Sequence, residues 1–349
     1  EQALAAQPNG DQTRAMAENS IVQLEQMIQD SDELNFGINI DQSAKNIAID
    51  FSFTAVGGSQ MAAMYGSQQA IPSQFSSVIR DDAAAYFHSA ASIGPEVIQQ
   101  SKDSIENSIA MVQSALSNDG GLSEEQLAKV DLYISRFADI LLDSIAEGKS
   151  DAGGMMLASK DKMQVVLGMF VADGSKVADL AKDLAKEVPD SPQAPRFKFD
   201  IGTYNGVTMH VIEADVPASE DEARKVFGEK LQIYIGTAPK AVYMCLGKDS
   251  ANLLKEFISS GGKDTSSDRP LGQFKMKLLP IMEFAQSVEA NDGIAAMIGA
   301  LSSSQDKGDF TVISDSIPNG SDVKITIGEG LVKAIAAAAI AGQQAGAAF

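Results

Sequence analysis

The chain has 349 residues, with 27 Lys and Arg against 47 Asp and Glu and a formal net charge of −20. That balance argues against nucleic acid and anionic membrane surfaces as partners, because both need a basic footprint. One Cys (Cys245) and two His (His88, His210) exclude an intramolecular disulfide and any Cys-cluster metal centre and leave little room for His-based chemistry.

Hydrophobic residues make up 44% and charged residues 21%, a foldable composition at a length that suits two or three domains. Fourteen Met and no Trp suggest a core filled by Met and small side chains. The opening Glu1-Gln2-Ala3-Leu4 lacks an initiator Met. It fits a mature exported protein or a chain begun at a chosen residue, and the expectation is a bacterial periplasmic or surface location.

Residues 1–33 read as a polar lead and a helix, with Ala17, Ile21, Leu24 and Ile28 on one face. Phe36, Ile38 and Ile40 alternate, a turn follows at 41–44, and Ile47, Ile49, Phe51 and Phe53 form a second strand. Gly57-Gly58-Ser59 opens a helix carrying Met61 and Met64. Residues 75–88 read as strand, tight turn at Asp81-Asp82, and strand. Pro95 suits a helix start, with Ile98, Ile105, Ile109, Val112 and Leu116 on one face. Ser123 and Gln126 form a capping box for a second long helix carrying Leu127, Val130, Ile134, Phe137 and Leu141, and Gly148 stops it. This is an antiparallel helical hairpin, with Ile109 and Phe137 expected buried on facing stripes.

Strands return after Gly153, and Ser175 is placed at the cap of a helix carrying Val177, Leu180 and Leu184. Asn205-Gly206 joins two alternating runs, the strongest short hairpin signal. Residues 215–229 read as an acidic loop, 231–236 and 240–246 as strands, and Leu253, Leu254, Phe257 and Ile258 as one helix face. Pro280 marks a further helix start, Pro318-Asn319-Gly320 a hairpin, and an Ala-rich helix closes the chain.

Two stretches look alike. Lys45 to Met64 and Lys162 to Leu180 each run strand, Gly-Ser, helix, and each is followed by strand, turn and strand with Ala-x-Tyr at 84–86 and 241–243. The expected fold is α+β, mostly antiparallel sheet with helices on one face: two ββαββα units plus the helical hairpin. The expected divisions are 34–150, 151–265 with 189–229 inserted, and 266–349 packing on the second unit.

No residue stands out as catalytic, cofactor-binding or metal-ligating. His88 and His210 read as ordinary sheet residues, His210 on the non-core side of its strand. Cys245, between Met244 and Leu246, reads as a small buried hydrophobe. Phosphate loops, nucleophile elbows and EF-hand loops are absent. The carboxylate groups are Asp30/Asp32/Glu33, Asp81/Asp82, Glu124/Glu125 and Glu220/Asp221/Glu222, of which the last three have local explanations in a turn, a helix dipole and a solvated loop. They leave room for weak divalent-cation binding. The C-terminal Leu331 to Phe349 carries too many polar and small residues for a membrane span.

From Leu157 on, the Gly-Ser helix start, Ala241-Val242-Tyr243-Met244-Cys245-Leu246-Gly247, and Ile317-Pro318-Asn319-Gly320 leading to Gly328-Glu329-Gly330-Leu331 resemble uncharacterised exported bacterial α+β proteins. The resemblance implies no function and no site residue. The functional expectation is a non-catalytic binding or scaffolding protein of the envelope. Its partner would be a protein or a hydrophobic small molecule, and no cofactor is expected. The alternative is a metal-assisted hydrolase using clustered carboxylates.

Overall fold

The computed structural model describes residues 28–346, together with Ile21, Leu24 and Glu25, apart from 120, 122, 192, 264 and 265. Most of the lead expected over 1–33 therefore lies outside the described residues. The chain begins with a hairpin of β1 (Ser31–Asp41) and β2 (Asn46–Ala55), then α1 (Gln60–Gly66) and β3 (Ala85–Ser92). The long helices α2 (Pro95–Asp119) and α3 (Glu124–Ala146) follow. Next come β4 (Lys149–Ser159), β5 (Lys162–Phe170), α4 (Gly174–Glu187), β6 (Arg196–Tyr204), β7 (Val207–Asp215), α5 (Asp221–Phe227), β8 (Lys230–Ala238), β9 (Ala241–Gly247) and α6 (Ser250–Ser260). Last come β10 (Gly272–Lys277), α7 (Leu278–Val288), α8 (Asp292–Ser303), β11 (Asp309–Ile317), β12 (Gly320–Gly328) and α9 (Glu329–Gly346).

The fold is α+β, with one sheet of twelve strands in the order β1-β2-β12-β11-β10-β3-β4-β5-β9-β8-β7-β6. Every neighbouring pair is antiparallel. The order divides into two six-stranded halves. In the outer half, β1, β2, β3, β10, β11 and β12 are first to sixth in chain order, and they lie in the sheet as 1-2-6-5-4-3. In the nested half, β4 to β9 lie as 1-2-6-5-4-3 as well. Helices occupy matching connections: α1 and α4 after the second strand, α7–α8 and α5 after the fourth, α9 and α6 after the sixth. The nested half sits between the third and fourth strands of the outer half, and β3 pairs with β4 to join them.

This order corrects three expectations. Residues 189–229 are no insertion, because β6 and β7 are integral strands of the nested half. Residues 266–349 do not form a layer on the second unit; β10, β11 and β12 lie between β3 and β2 and complete the outer half. No strand runs from Phe75 to Arg80: Ser76–Val78 is a 3₁₀ turn, so the Ala-x-Tyr strands β3 and β9 hold different places in the order. Short-range patterning reports strands and hairpins well but carries no information on which strands distant in sequence pair.

Cross-strand partners share a face of the sheet. On one face of the nested half, Val166, Tyr243, Cys245, Val207 and Met209 are buried against Leu254, Phe257 and Ile258 of α6. Phe75, fully buried, is pushed into this core by the 3₁₀ turn and meets the rings of Tyr243 and Phe257 at 5.6 and 6.0 Å between centroids. Gly168 makes that insertion possible, since a Cβ there would stand 2.4 Å from the Phe75 ring. The opposite face carries α1, whose Ala62 packs on Phe53 and Ala55. It also carries α4, whose Lys182 reaches Asp200 of β6 at 2.9 Å beside His210. Helices therefore flank both faces, not one as expected, because β5 and β9 of the nested half carry apolar side chains on both sides.

The caps follow local chemistry. Ser59 caps α1, and Ser123 with Gln126 makes a complete capping box on α3. The cap of α4 is Asp173 rather than Ser175: Asp173 accepts from Ser175 N, and the helix begins at Gly174. The 215–229 loop contains the short helix α5, with Asp221 and Glu222 in its first turn.

Candidate functional site

The face bearing α1 and α4 is apolar along most of its width, as the strand registers show. Ile38 stands opposite Ile49, Ile49 opposite Ile325 and Ile325 opposite Val312. Val312 faces Phe274, which faces Phe87. Beyond β4, Leu167 faces Met244 and Met244 faces Ile235. Coverage is thinnest at the β1 end. Leu34, Phe36, Ile38 and Ile40 of that edge strand are 61–68% exposed, and Phe87 and Met169 further in are 40% and 46% exposed. At the foot of the row, Ile40, Ile47, Ile327 and Val332 line an open hollow of about 470 Å³.

A second apolar surface lies between α2 and α3. Ile105, Ile109 and Val112 face Ile134, Phe137 and Leu141 across an open groove of about 550 Å³. Phe137 is 55% exposed, which corrects the expectation that it is buried. Its stripe contributes to the wall of a groove instead of closing against the neighbouring helix. The inner side of α3 is fixed to α4 by Arg136 on Asp183 at 2.8 Å, Lys176 on Asp143 at 2.6 Å, and Lys129 and Tyr133 on Glu187 at 3.1 and 3.2 Å. Beside it, Met61 and Met64 of α1 and Glu96, Gln99 and Asp103 of α2 line a polar cleft of about 800 Å³.

The titratable residues are held apart. His88 of β3 is buried at 1% exposure on the α6 face, and neither ring nitrogen finds a hydrogen-bond partner among the described residues. Burial and the nearby Arg269 charge push its pKa down to about 4, so it is neutral over the ordinary range. Cys245 is fully buried on the same face, and burial pushes its thiol up to about 12. Such a thiol is not a nucleophile at neutral pH. It stands three strand steps from His88, roughly 14 Å at about 4.8 Å per step.

His210 lies on the opposite face and is buried at 3% exposure, which corrects its expected placement on an uncovered side. Its Nδ1 accepts from Asp200 N at 3.1 Å, so Nε2 carries the proton and donates to Thr237 Oγ1 at 3.0 Å. Burial lowers its pKa against the opposing pull of Asp200.

Asp30 accepts from Met61 N and ties the start of β1 to α1. Asp32 and Glu33 lie in β1, Asp82 pairs with Arg80 at 2.6 Å, and Glu124 and Glu125 sit in the first turn of α3. Among the described residues, no group of three or more His, Cys, Asp and Glu stands close enough to share a metal ion. One polar cluster has no obvious signal in the sequence. Ser73 Oγ donates to Asp151 at 2.5 Å, Gln74 N donates to the second carboxylate oxygen at 2.8 Å, and Phe75 N donates to Ser73 Oγ at 2.9 Å. Burial holds the Asp151 pKa above the usual carboxylate value, and these bonds pull against it. The cluster fixes the loop that delivers Phe75 to the core.

No family model matches this chain, and neither curated proteins nor solved structures show a significant match to it. No helix among the described residues is long and apolar enough to cross a membrane.

Proposed function

We propose that this protein is a non-catalytic binding or scaffolding module of a bacterial envelope, and that it works through its uncovered apolar surfaces. The observation that carries this reading is the row Leu34, Phe36, Ile38 and Ile40 on an edge strand, each at least 61% exposed. Contiguous exposed apolar surface rimmed by polar residues marks an interaction site, whereas scattered single side chains do not. The groove between α2 and α3 adds a second such surface. Both are open, which suits an extended or helical segment of a partner better than a small molecule sequestered inside a cavity. Within the same proposal, the two halves are copies of one six-stranded unit, one inserted into the other, and the helical hairpin is an addition at the junction.

The test is a titration of the full chain with an environment-sensitive apolar dye. Saturable binding is expected, falling several-fold in Phe137→Asp and in Ile38→Asp. Both sites are more than half exposed, so the fold is retained, and circular dichroism checks this. Dye binding that neither variant weakens would remove the basis for the reading.

A further inference from the structure

The two free edges of the sheet correspond to the two strands joined at its centre. In the strand order, β1 and β4 are the first strands of their halves, and β3 and β6 are the third. Inside the molecule, third strand β3 pairs antiparallel with first strand β4 over eight rungs, from Ala85↔Met156 to Ser92↔Lys149. That leaves first strand β1 at one end of the sheet and third strand β6 at the other. We infer that β6 of one copy pairs antiparallel with β1 of the next, repeating between molecules the join that β3 and β4 make within one.

The two edges can be compared face by face. On the apolar face, β1 offers Leu34, Phe36, Ile38 and Ile40, and β6 offers Phe197. On the other face, β1 carries Glu33 and Asp41 at its ends with Asn35 and Asn39 between them, while β6 carries Arg196 and Lys198. Antiparallel docking brings the Arg196–Lys198 end of β6 to the Asp41 end of β1, so Asp41 joins two cations that already pair within the chain, Arg196 with Asp215 at 2.8 Å and Lys198 with Glu213 at 2.5 Å. A β1-to-β1 pairing would instead set Glu33 against Asp41 of the second copy, like against like.

Neither edge carries a Pro, and β1 also lacks Lys and so is open to pairing, whereas β6 carries Lys198 and a bulge, two devices that blunt an edge strand. A bulge between Lys198 and Gly202, with Asp200 at φ 53°, bends β6 outside that run, so the contact is concentrated at Arg196–Lys198. A head-to-tail contact of this kind adds one chain at a time beyond the dimer, into a ring if its rotation closes and into an open assembly if it does not.

This inference rests on the scaffolding reading and supplies its partner, a second copy. The experiment is sedimentation velocity on the full chain at rising concentration. Two variants are each blocked at one edge: Ile38→Lys on β1, and the double change Arg196→Glu with Lys198→Glu on β6. All three altered positions are solvent-facing. The unaltered chain is expected to form species beyond the dimer in steps of one chain, and each variant alone is expected to stay monomeric. An equimolar mixture of the two variants is expected to form a dimer and nothing larger, because only one compatible pair of edges remains.

A β6-blocked variant that dimerises alone would overturn the inference in favour of β1-to-β1 pairing. A mixture that stays monomeric would overturn it outright, as would an unaltered chain that is monomeric at every concentration. If the chain is monomeric yet still binds the dye at Ile38 and Phe137, the assembly fails and the scaffolding reading stands. If dye binding is absent as well, both fail.

Discussion

The two halves share a strand order and differ in what covers them. After the sixth strand of the nested half, α6 brings Leu253, Leu254, Phe257 and Ile258, all buried at 7% exposure or less. After the sixth strand of the outer half, α9 buries Ala334 but leaves Val332, Ile335 and Ile340 at 44–62% exposure. After the second strand, α4 runs for 14 residues and α1 for 7. The same topology thus yields a sealed core in one half and an open apolar face in the other. Helix length and side-chain volume decide which, since alanine cannot fill the space that Leu and Phe fill.

The sharpest way to break this comparison is a matched pair of truncations. Phe257→Ala should cost about 3–5 kcal/mol, because the ring is buried among Phe75 and Tyr243 and leaves a cavity. Ile335→Ala in α9 should stay within about 0.5 kcal/mol. Denaturant unfolding reads both, and similar losses would mean that the outer half is as closely packed as the nested one.

A somewhat smaller effect concerns the seam between the halves. His88 is held near 4 in the folded protein against 6.5 for a free imidazole. As pH falls through 6.5, the unfolded chain takes up a proton that the native chain refuses. Stability is therefore whole above pH 6.5 and declines between 6.5 and about 4, by on the order of 3 kcal/mol. Asp151, raised by burial, acts with the opposite sign: its contribution is whole below the ordinary value of 3.8 and lost as pH rises through its folded value. His88→Gln should flatten the decline over that window in thermal unfolding followed from pH 7 down to 4. An unchanged profile would assign the pH dependence elsewhere.

The smallest effect is expected at Phe137. At 55% exposure its removal should cost no more than about 1 kcal/mol, although a fully buried Phe would cost several times that. A larger loss, read by calorimetry, would mean that the groove closes in solution and that α2 and α3 pack as closely as the nested half.

Much of the local structure was legible in the sequence. The capping box at Ser123, the Asn205-Gly206 hairpin, and the alternating runs at 47–53 and 163–171 follow from rules that span a few residues. Periodicity gives the side of a helix or strand that is apolar, but not whether anything covers it. That is why Phe137 is expected buried, and why the alternation of Phe36, Ile38 and Ile40 does not reveal that they are exposed. In β1, a signal was present in the residues between: Asn35, Gly37 and Asn39 are small or polar and uncharged, and they supply little bulk to either face. The pairing of β2 with β12 and the burial of Asp151 under Ser73 depend on contacts 77 or more positions apart. No short-range pattern encodes them.

The nesting of one half within the other also orders events during synthesis. Within the nested half, Val166 pairs with Cys245, 79 positions later (245 − 166). In the outer half, Ile49 pairs with Ile325, 276 positions later (325 − 49). Chain closure over the longer distance is slower, and domains emerging from the ribosome fold as units. The nested half is thus complete in sequence while the β1–β2 hairpin still waits for β12, its apolar strand faces open to the cell's chaperones for the rest of translation.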